Sequence, residues 1–296
     1  MACVTALTVS AAKIGDPAAP LTIKEWVKGQ AVNVKDGKSL YVVEFWATWC
    51  GPCRTSIPHL TKLQKQFKDK GVVFIGISDE TADKVKPFVE QMADKMDYVV
   101  AIDNERKTSD GYMTAYGQGG IPCAFVVGKD GKVLWVGHPM DNLDKTIEDV
   151  LAGSFDLQAA IKKDEARVKK DDYLKLSVAG DAKAKKLGNE LLADAGNNVG
   201  ELCDFAFSIA ANASIKNRDF ALALDALSKA EKAAGGKSAQ VIGTRAVVLF
   251  ESGKKEEGLA AAKQAVELSQ DDKERARYQN FVKVMEARLK QAGNQK

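Results

Sequence analysis

The chain has 296 residues, 45% hydrophobic and 28% charged, with a formal net charge of +3. That length favours two domains, and the small net charge, with no basic cluster long enough to track a phosphate backbone, excludes nucleic acid as an evident partner. No apolar run reaches the ~18 residues of a spanning helix, so no integral membrane segment is expected.

Residues 1–14 are read apart from the fold. Ala2 to Ala12 is small and apolar, and Ser10-Ala11-Ala12 is similar to the end of an export signal. The basic n-region and the usual length are missing. A leader remnant, a mis-assigned start and a loose terminus all fit, and nothing beside Cys3 marks a lipid anchor.

Residues 40–47, Leu-Tyr-Val-Val-Glu-Phe-Trp-Ala, are nearly continuously apolar, as in a central strand covered on both faces. Residues 51–70 place Ile57, Leu60, Leu63 and Phe67 at helical spacing and end on Gly71. A second buried strand is predicted over 72–77. A helix over 80–95 follows, its early turns disturbed by Pro87. Residues 98–102 read as a strand and 106–116 as a short helix. Two strands, 123–127 and 132–136, flank the turn Gly128-Lys129-Asp130-Gly131, and a helix over 143–151 closes the domain. This alternation predicts an α/β fold, a mainly parallel central sheet flanked by helices with a terminal β-hairpin.

All seven prolines and all four tryptophans lie at or before Pro139. Beyond Gly153 the chain is rich in Ala, Lys, Glu and Leu and reads as helix throughout. The expected division is 15–153 for the α/β domain and 154–296 for an all-α domain.

Trp49-Cys50-Gly51-Pro52-Cys53 stands where the first strand gives way to its helix. Two cysteines three apart at a helix start can form a small reversible disulfide. The helix dipole favours the thiolate of the first, which makes Cys50 the expected nucleophile and Cys53 the resolving thiol. Pro52 fits the first turn because its missing N–H costs nothing there. Half a zinc site is the competing reading. It fails because Cys3, His59, Cys123, His138 and Cys203 contain no second closely spaced pair, so no metal site is expected.

Residues 45–53, Phe-Trp-Ala-Thr-Trp-Cys-Gly-Pro-Cys, together with Pro58 and Gly120-Ile121-Pro122, resemble the thioredoxin superfamily over about residues 15–153. The additional helix and strand after residue 77, and the opening Ile14-Gly15-Asp16-Pro17, resemble its exported thiol–disulfide oxidoreductase and redoxin branch. The resemblance implies dithiol exchange with a protein disulfide, an upstream electron donor that the sequence does not identify, and exported or periplasmic localisation. It implies no cofactor beyond the Cys50–Cys53 disulfide itself. Glu44 interrupts the central strand at the position where thioredoxins place an acid that exchanges a proton with the second cysteine. Burial would raise its pKa for that task; a strand-end glutamate reaching solvent is the alternative. Pro122 is expected to be cis. Trp49, Gly51, Pro52 and Ile121 are the expected substrate-binding residues. Cys123 stands where threonine is common in the family, and reads as a small buried residue or as a relay thiol. Peroxidase chemistry is not expected, because Ala47 stands where that branch resembles Thr or Ser before its cysteine.

In the helical domain, Ala223-Leu224 with Ala230 recurs as Gly258-Leu259 with Ala265, an offset of 35 residues. Residues 253–265 resemble the second helix of a tetratricopeptide repeat, and residues 273–291 would form the polar cap of such an array. Gly235-Gly236-Lys237-Ser238 reads as an interhelical turn, not a phosphate loop, since Glu231 stands where that motif needs glycine. A partner or substrate protein could bind this domain. The function reading is a thiol–disulfide oxidoreductase, with a non-catalytic adaptor built on the same fold as the alternative.

Overall fold

The computed structural model describes residues 12–293, and the readings made for Cys3 and the export-like segment lie outside them. The chain divides into two compact units at Glu165 and Ala166. The first unit carries six strands, β1 (Ile23–Lys28), β2 (Leu40–Phe45), β3 (Val72–Ser78), β4 (Val99–Asp103), β5 (Cys123–Val127) and β6 (Val133–Gly137). They form one sheet in the order β1-β4-β3-β2-β5-β6. β2 pairs parallel with β3 and β3 with β4, whereas β1, β5 and β6 pair antiparallel with their neighbours.

Helix α1 (Gly51–Phe67) follows β2, α2 (Ala82–Met92) follows β3, and α4 (Leu143–Ala152) follows β6. Between β4 and β5, α3 (Lys107–Ser109) continues into a π-helical turn over Asp110–Thr114. Alternation along β2 sorts its side chains between two cores. Val42 and Trp46 face Ile57, Leu60, Val85, Phe88, Leu143 and Ile147, which come from α1, α2 and α4. Tyr41, Val43 and Phe45 face Tyr112, Met113, Tyr116 and Phe125. Glu44 has the parity of Val42 and Trp46, so the strand aims its one carboxylate at the α1 face.

Strand β1 is absent from the sequence reading. Its residues, Ile-Lys-Glu-Trp-Val-Lys, are half-exposed and mixed in polarity because it is an edge strand, paired only with β4. Pro87 lies inside α2 without ending it.

The division between the units falls inside α5 (Leu157–Ala179), beyond Gly153. Phe155 and Leu157 pack against the α1-side core, and Asp164 accepts the backbone N–H of Ile14 at 3.3 Å. The second unit continues through α6 (Lys183–Asp194), α7 (Val199–Ala211), α8 (Phe220–Ala234), α9 (Ala239–Glu251), α10 (Lys255–Leu268) and α11 (Asp272–Gly293). Ala223, Ala230 and Ala265 are fully buried. At Gly258 an added Cβ would stand 2.7 Å from the Phe250 nitrogen and 2.8 Å from the Ala246 oxygen, so α10 lies directly on the α9 backbone. Gly235 ends α8 in the left-handed region and the Ser238 side chain caps α9, which makes residues 235–238 a turn between helices. None of the described helices is long and apolar enough to cross a membrane.

Candidate active site

The C-terminal end of β2 delivers residues 46–50 to the start of α1, and there Cys50 and Cys53 are joined in a disulfide. Cys50 is the N-cap of α1, and its sulfur accepts the Cys53 N–H at 3.1 Å. An N-cap sulfur of this kind satisfies a helix donor that has no intrahelical partner, and it lies where the dipole favours negative charge. Gly51 and Pro52 are exposed in the first turn, and Trp49 is 72% exposed. Cys53 is fully buried, and Trp46 is a core residue stacked near Phe88.

The Ile121–Pro122 peptide bond is cis. The Ile121 carbonyl oxygen lies 3.8 Å from Cys50 Sγ, so this loop borders the disulfide directly. Its place follows from the sheet, because Phe45 at the end of β2 is in register with Cys123 at the start of β5. Cys123 is buried, its sulfur 3.9 Å from Gln118 Oε1. His59 and His138 are both half-buried, and His138 Nδ1 accepts the Met140 N–H.

Glu44 is 1% exposed. Tyr98 donates its hydroxyl to Oε2 at 3.1 Å and Ser56 lies 3.2 Å from Oε1. Burial pushes the Glu44 carboxyl up from an ordinary 4.5 to about 8, against the smaller lowering effect of these two hydroxyls. Tyr98 reaches Glu44 across β3 because Gly76, the register partner of Glu44, has no side chain. A Cβ there would stand 2.9 Å from the Tyr98 ring and 3.0 Å from Trp46 Nε1.

A second set of contacts pins the loop ahead of Cys50. Glu80, in the turn after β3, accepts both the N–H and the hydroxyl of Thr48. Arg54 donates through Nε and Nη2 to the Thr48 carbonyl at 3.2 and 2.9 Å, with its guanidinium over the Phe88 ring.

The structure therefore gathers Glu44, Trp49, Cys50, Gly51, Pro52, Cys53, Ile121 and Pro122 around or beneath one disulfide. Thr48, Arg54, Ser56, Glu80 and Tyr98 are additions that the sequence reading did not contain. Ser56 carried a legible signal, a polar residue one turn beyond Cys53 on the buried stripe of α1. Glu80 and Tyr98 are brought in by the sheet from far along the chain and carried none.

A helix-capping Cys-Gly-Pro-Cys disulfide beside a cis-proline, on this sheet, defines a thioredoxin-like protein. Residues 14–136 match the model of the AhpC/TSA family, and the chain belongs to this thioredoxin-like family. It is 38% identical over 119 residues to the thiol-disulfide oxidoreductase ResA of Bacillus anthracis, a match covering 39% of this chain and 65% of that protein. The chain thus spans slightly less than two thirds of that relative's length. Protein FixW of Rhizobium leguminosarum is 33% identical over 151 residues, covering 47% of this chain and 68% of FixW. The thiol:disulfide interchange protein HelX of Rhodobacter capsulatus is 31% identical over 128 residues, covering 42% and 67%. A thioredoxin domain of a thiol-disulfide oxidoreductase from Bacteroides vulgatus shares 28% identity, covers 47% of this chain and 97% of that domain, and superposes with a TM-score of 0.41.

Proposed function

We propose that the protein is a thiol–disulfide oxidoreductase that reduces protein disulfides through Cys50 and Cys53. The observation that carries the reading is the Cys50 sulfur at the N-cap of α1, with a fully buried Cys53 behind it. The reduced Cys50 attacks a substrate disulfide as thiolate, forming a mixed disulfide and releasing one substrate sulfur. Cys53 then attacks Cys50, restoring the intramolecular disulfide and releasing the second. An upstream reductant resets the pair, and no cofactor is required beyond it.

Glu44 takes the Cys53 proton in this scheme. Burial raises the Glu44 carboxyl to about 8, so its ionised form holds a proton far more readily than an ordinary carboxylate, which suits it to this transfer. The Ile121 backbone, beside Cys50, pairs with an extended substrate segment, and Trp49, Gly51 and Pro52 supply the contact surface around it. The names of the relatives support this class of reaction. Working in an exported setting and contacting a partner through the tetratricopeptide-like helical unit are parts of the same proposal, supported by the export-like N-terminus and the recurring small residues of α8 and α10.

The test is Cys53→Ser incubated with a protein disulfide substrate under non-reducing conditions. A covalent adduct through Cys50 that dithiothreitol releases is the expected result, and Cys50→Ser forms none. Absence of both adduct and turnover would leave the adaptor reading.

A further inference from the structure

We propose that Ser56 is a positioning residue for dithiol exchange, its hydroxyl tying the Glu44 carboxyl to the peptide of Cys53 and turning between them as Glu44 gains and loses its proton. This rests on the thiol–disulfide reading above and adds a device to it.

Ser56 is fully buried on α1, one turn beyond Cys53. Its Oγ lies 3.2 Å from Glu44 Oε1 and 3.1 Å from the carbonyl oxygen of Cys53. A hydroxyl carries one proton and can donate to only one of these acceptors at a time. Tyr98 determines which. Its phenol donates to Glu44 Oε2 and stays protonated, because burial and the adjacent carboxyl push its pKa well up. Oε2 is thus an acceptor in both charge states, and the acid proton of Glu44 belongs on Oε1, facing Ser56.

Two arrangements follow. With Glu44 protonated, the bonds run one way, from Glu44 Oε1–H to Ser56 Oγ and from Ser56 Oγ–H to the Cys53 carbonyl. With Glu44 ionised, the carboxylate accepts from both Tyr98 and Ser56, and the serine proton leaves the Cys53 carbonyl. The neighbours of Glu44 on β3 and β5 are Gly76 and Ala124, which do not titrate. The titratable group that another element brings to Glu44 is Tyr98, ahead of β4, and Cys53 stands one turn before Ser56 on α1.

In the resolving step Cys53 gives its proton to Glu44 and becomes a thiolate. The thiolate attacks Cys50 Sγ, the Cys50–Cys53 bond forms, and the bond from Cys50 to the substrate breaks. The substrate leaves as a thiolate and takes a proton from water. As the proton reaches Glu44, Ser56 turns to the carbonyl of the residue whose sulfur is attacking, so the carboxyl reports its charge to the Cys53 peptide.

The experiment follows two carbons in the oxidised protein, the Cys53 carbonyl and the Glu44 carboxyl, by 13C NMR from about pH 5 to about pH 10. Single-turnover resolution rates are measured on the same variants. In the wild type the Cys53 carbonyl shift steps at the Glu44 midpoint. Ser56→Ala abolishes that step, moves the midpoint up, and slows resolution at neutral pH about three- to tenfold, with the rate recovering as pH rises. Ser56→Thr restores both. Tyr98→Phe moves the midpoint up and weakens the step, because Oε2 is no longer held as an acceptor and can carry the acid proton itself. A step that survives Ser56→Ala, or coincident wild-type and Ser56→Ala rate profiles, overturns the proposal while leaving the exchange reaction intact. Indifference of resolution to Glu44→Gln overturns the acid role and the switch together. A wild type without dithiol turnover removes the underlying reading.

Discussion

Glu80 holds Thr48 twice, its Oε2 accepting the Thr48 N–H at 2.6 Å and its Oε1 the Thr48 hydroxyl at 2.9 Å. With Arg54 on the Thr48 carbonyl, every polar group of this residue is tied down immediately before Trp49 and Cys50. The reactive cysteine is therefore presented from a fixed loop, although the residue beside it is among the most exposed aromatic groups of the chain.

Breaking that clamp should loosen the loop without unfolding the sheet. Glu80→Ala is expected to cost about 1–3 kcal/mol of stability and to lower kcat/KM on a protein disulfide about three- to tenfold. Fluorescence anisotropy of Trp49, in a background where the other tryptophans are replaced, should fall. An unchanged anisotropy with unchanged turnover would remove the clamp from the account.

The buried carboxyl makes stability depend on pH in a defined direction. Glu44 has a folded pKa of about 8 against an ordinary 4.5, so the folded state holds the proton more tightly than the unfolded state does. Its favourable contribution is full below the unfolded value, declines as pH rises above it, and is lost once pH passes the folded value. The wild type should therefore lose on the order of a few kcal/mol between about pH 4.5 and about pH 8. Glu44→Gln should flatten that interval. Denaturant titrations of the oxidised protein at several pH values check this, and parallel wild-type and Glu44→Gln profiles would contradict it.

Trp49 should matter to substrates and not to the fold. At 72% exposure its side chain contributes little to packing, so Trp49→Ala is expected to shift stability by no more than about 0.5 kcal/mol. Turnover of a protein disulfide should fall several-fold, while turnover of a small aromatic disulfide stays near wild type. Equal losses on both would make Trp49 part of the dithiol machinery instead of the contact surface.

In the helical unit, Gly258→Ala should be destabilising although alanine is the better helix former. Propensity favours the change by about 1 kcal/mol. The added Cβ meets the Phe250 nitrogen at 2.7 Å and the Ala246 oxygen at 2.8 Å, backbone atoms that cannot step aside. A net cost of about 1–3 kcal/mol is expected, read as an earlier thermal transition. If the helical unit selects substrate, the variant loses turnover on the natural protein partner and keeps it on a small disulfide.

The legible parts of this protein were those encoded in consecutive residues. The Cys50–Cys53 motif, the buried strand around Val42 and the hairpin turn at Gly128 each carry their chemistry in one short segment. Helix α10 was legible because Gly258 and Ala265 repeat a pattern set 35 residues earlier. What was not legible depends on pairings that only the folded sheet makes. β1 is an edge strand whose Lys, Glu and Trp side chains leave no clean alternation. Glu80 meets Thr48 because β2 and β3 run in parallel and end together, and Tyr98 meets Glu44 because Gly76 clears its path. The extension of the first unit to Glu165 was equally hidden, since it rests on Phe155, Leu157 and Asp164 packing back against segments remote in sequence.

The central claim, that Cys50 and Cys53 form a reducing dithiol couple, is tested most directly by its reduction potential. The protein is equilibrated against graded ratios of reduced and oxidised dithiothreitol or glutathione, and the dithiol fraction is counted by thiol alkylation. A single two-electron transition near the thioredoxin value of about −270 mV is the predicted result. A potential above roughly −180 mV, in the range of isomerases and oxidants, or a pair that never closes into a disulfide, would contradict it.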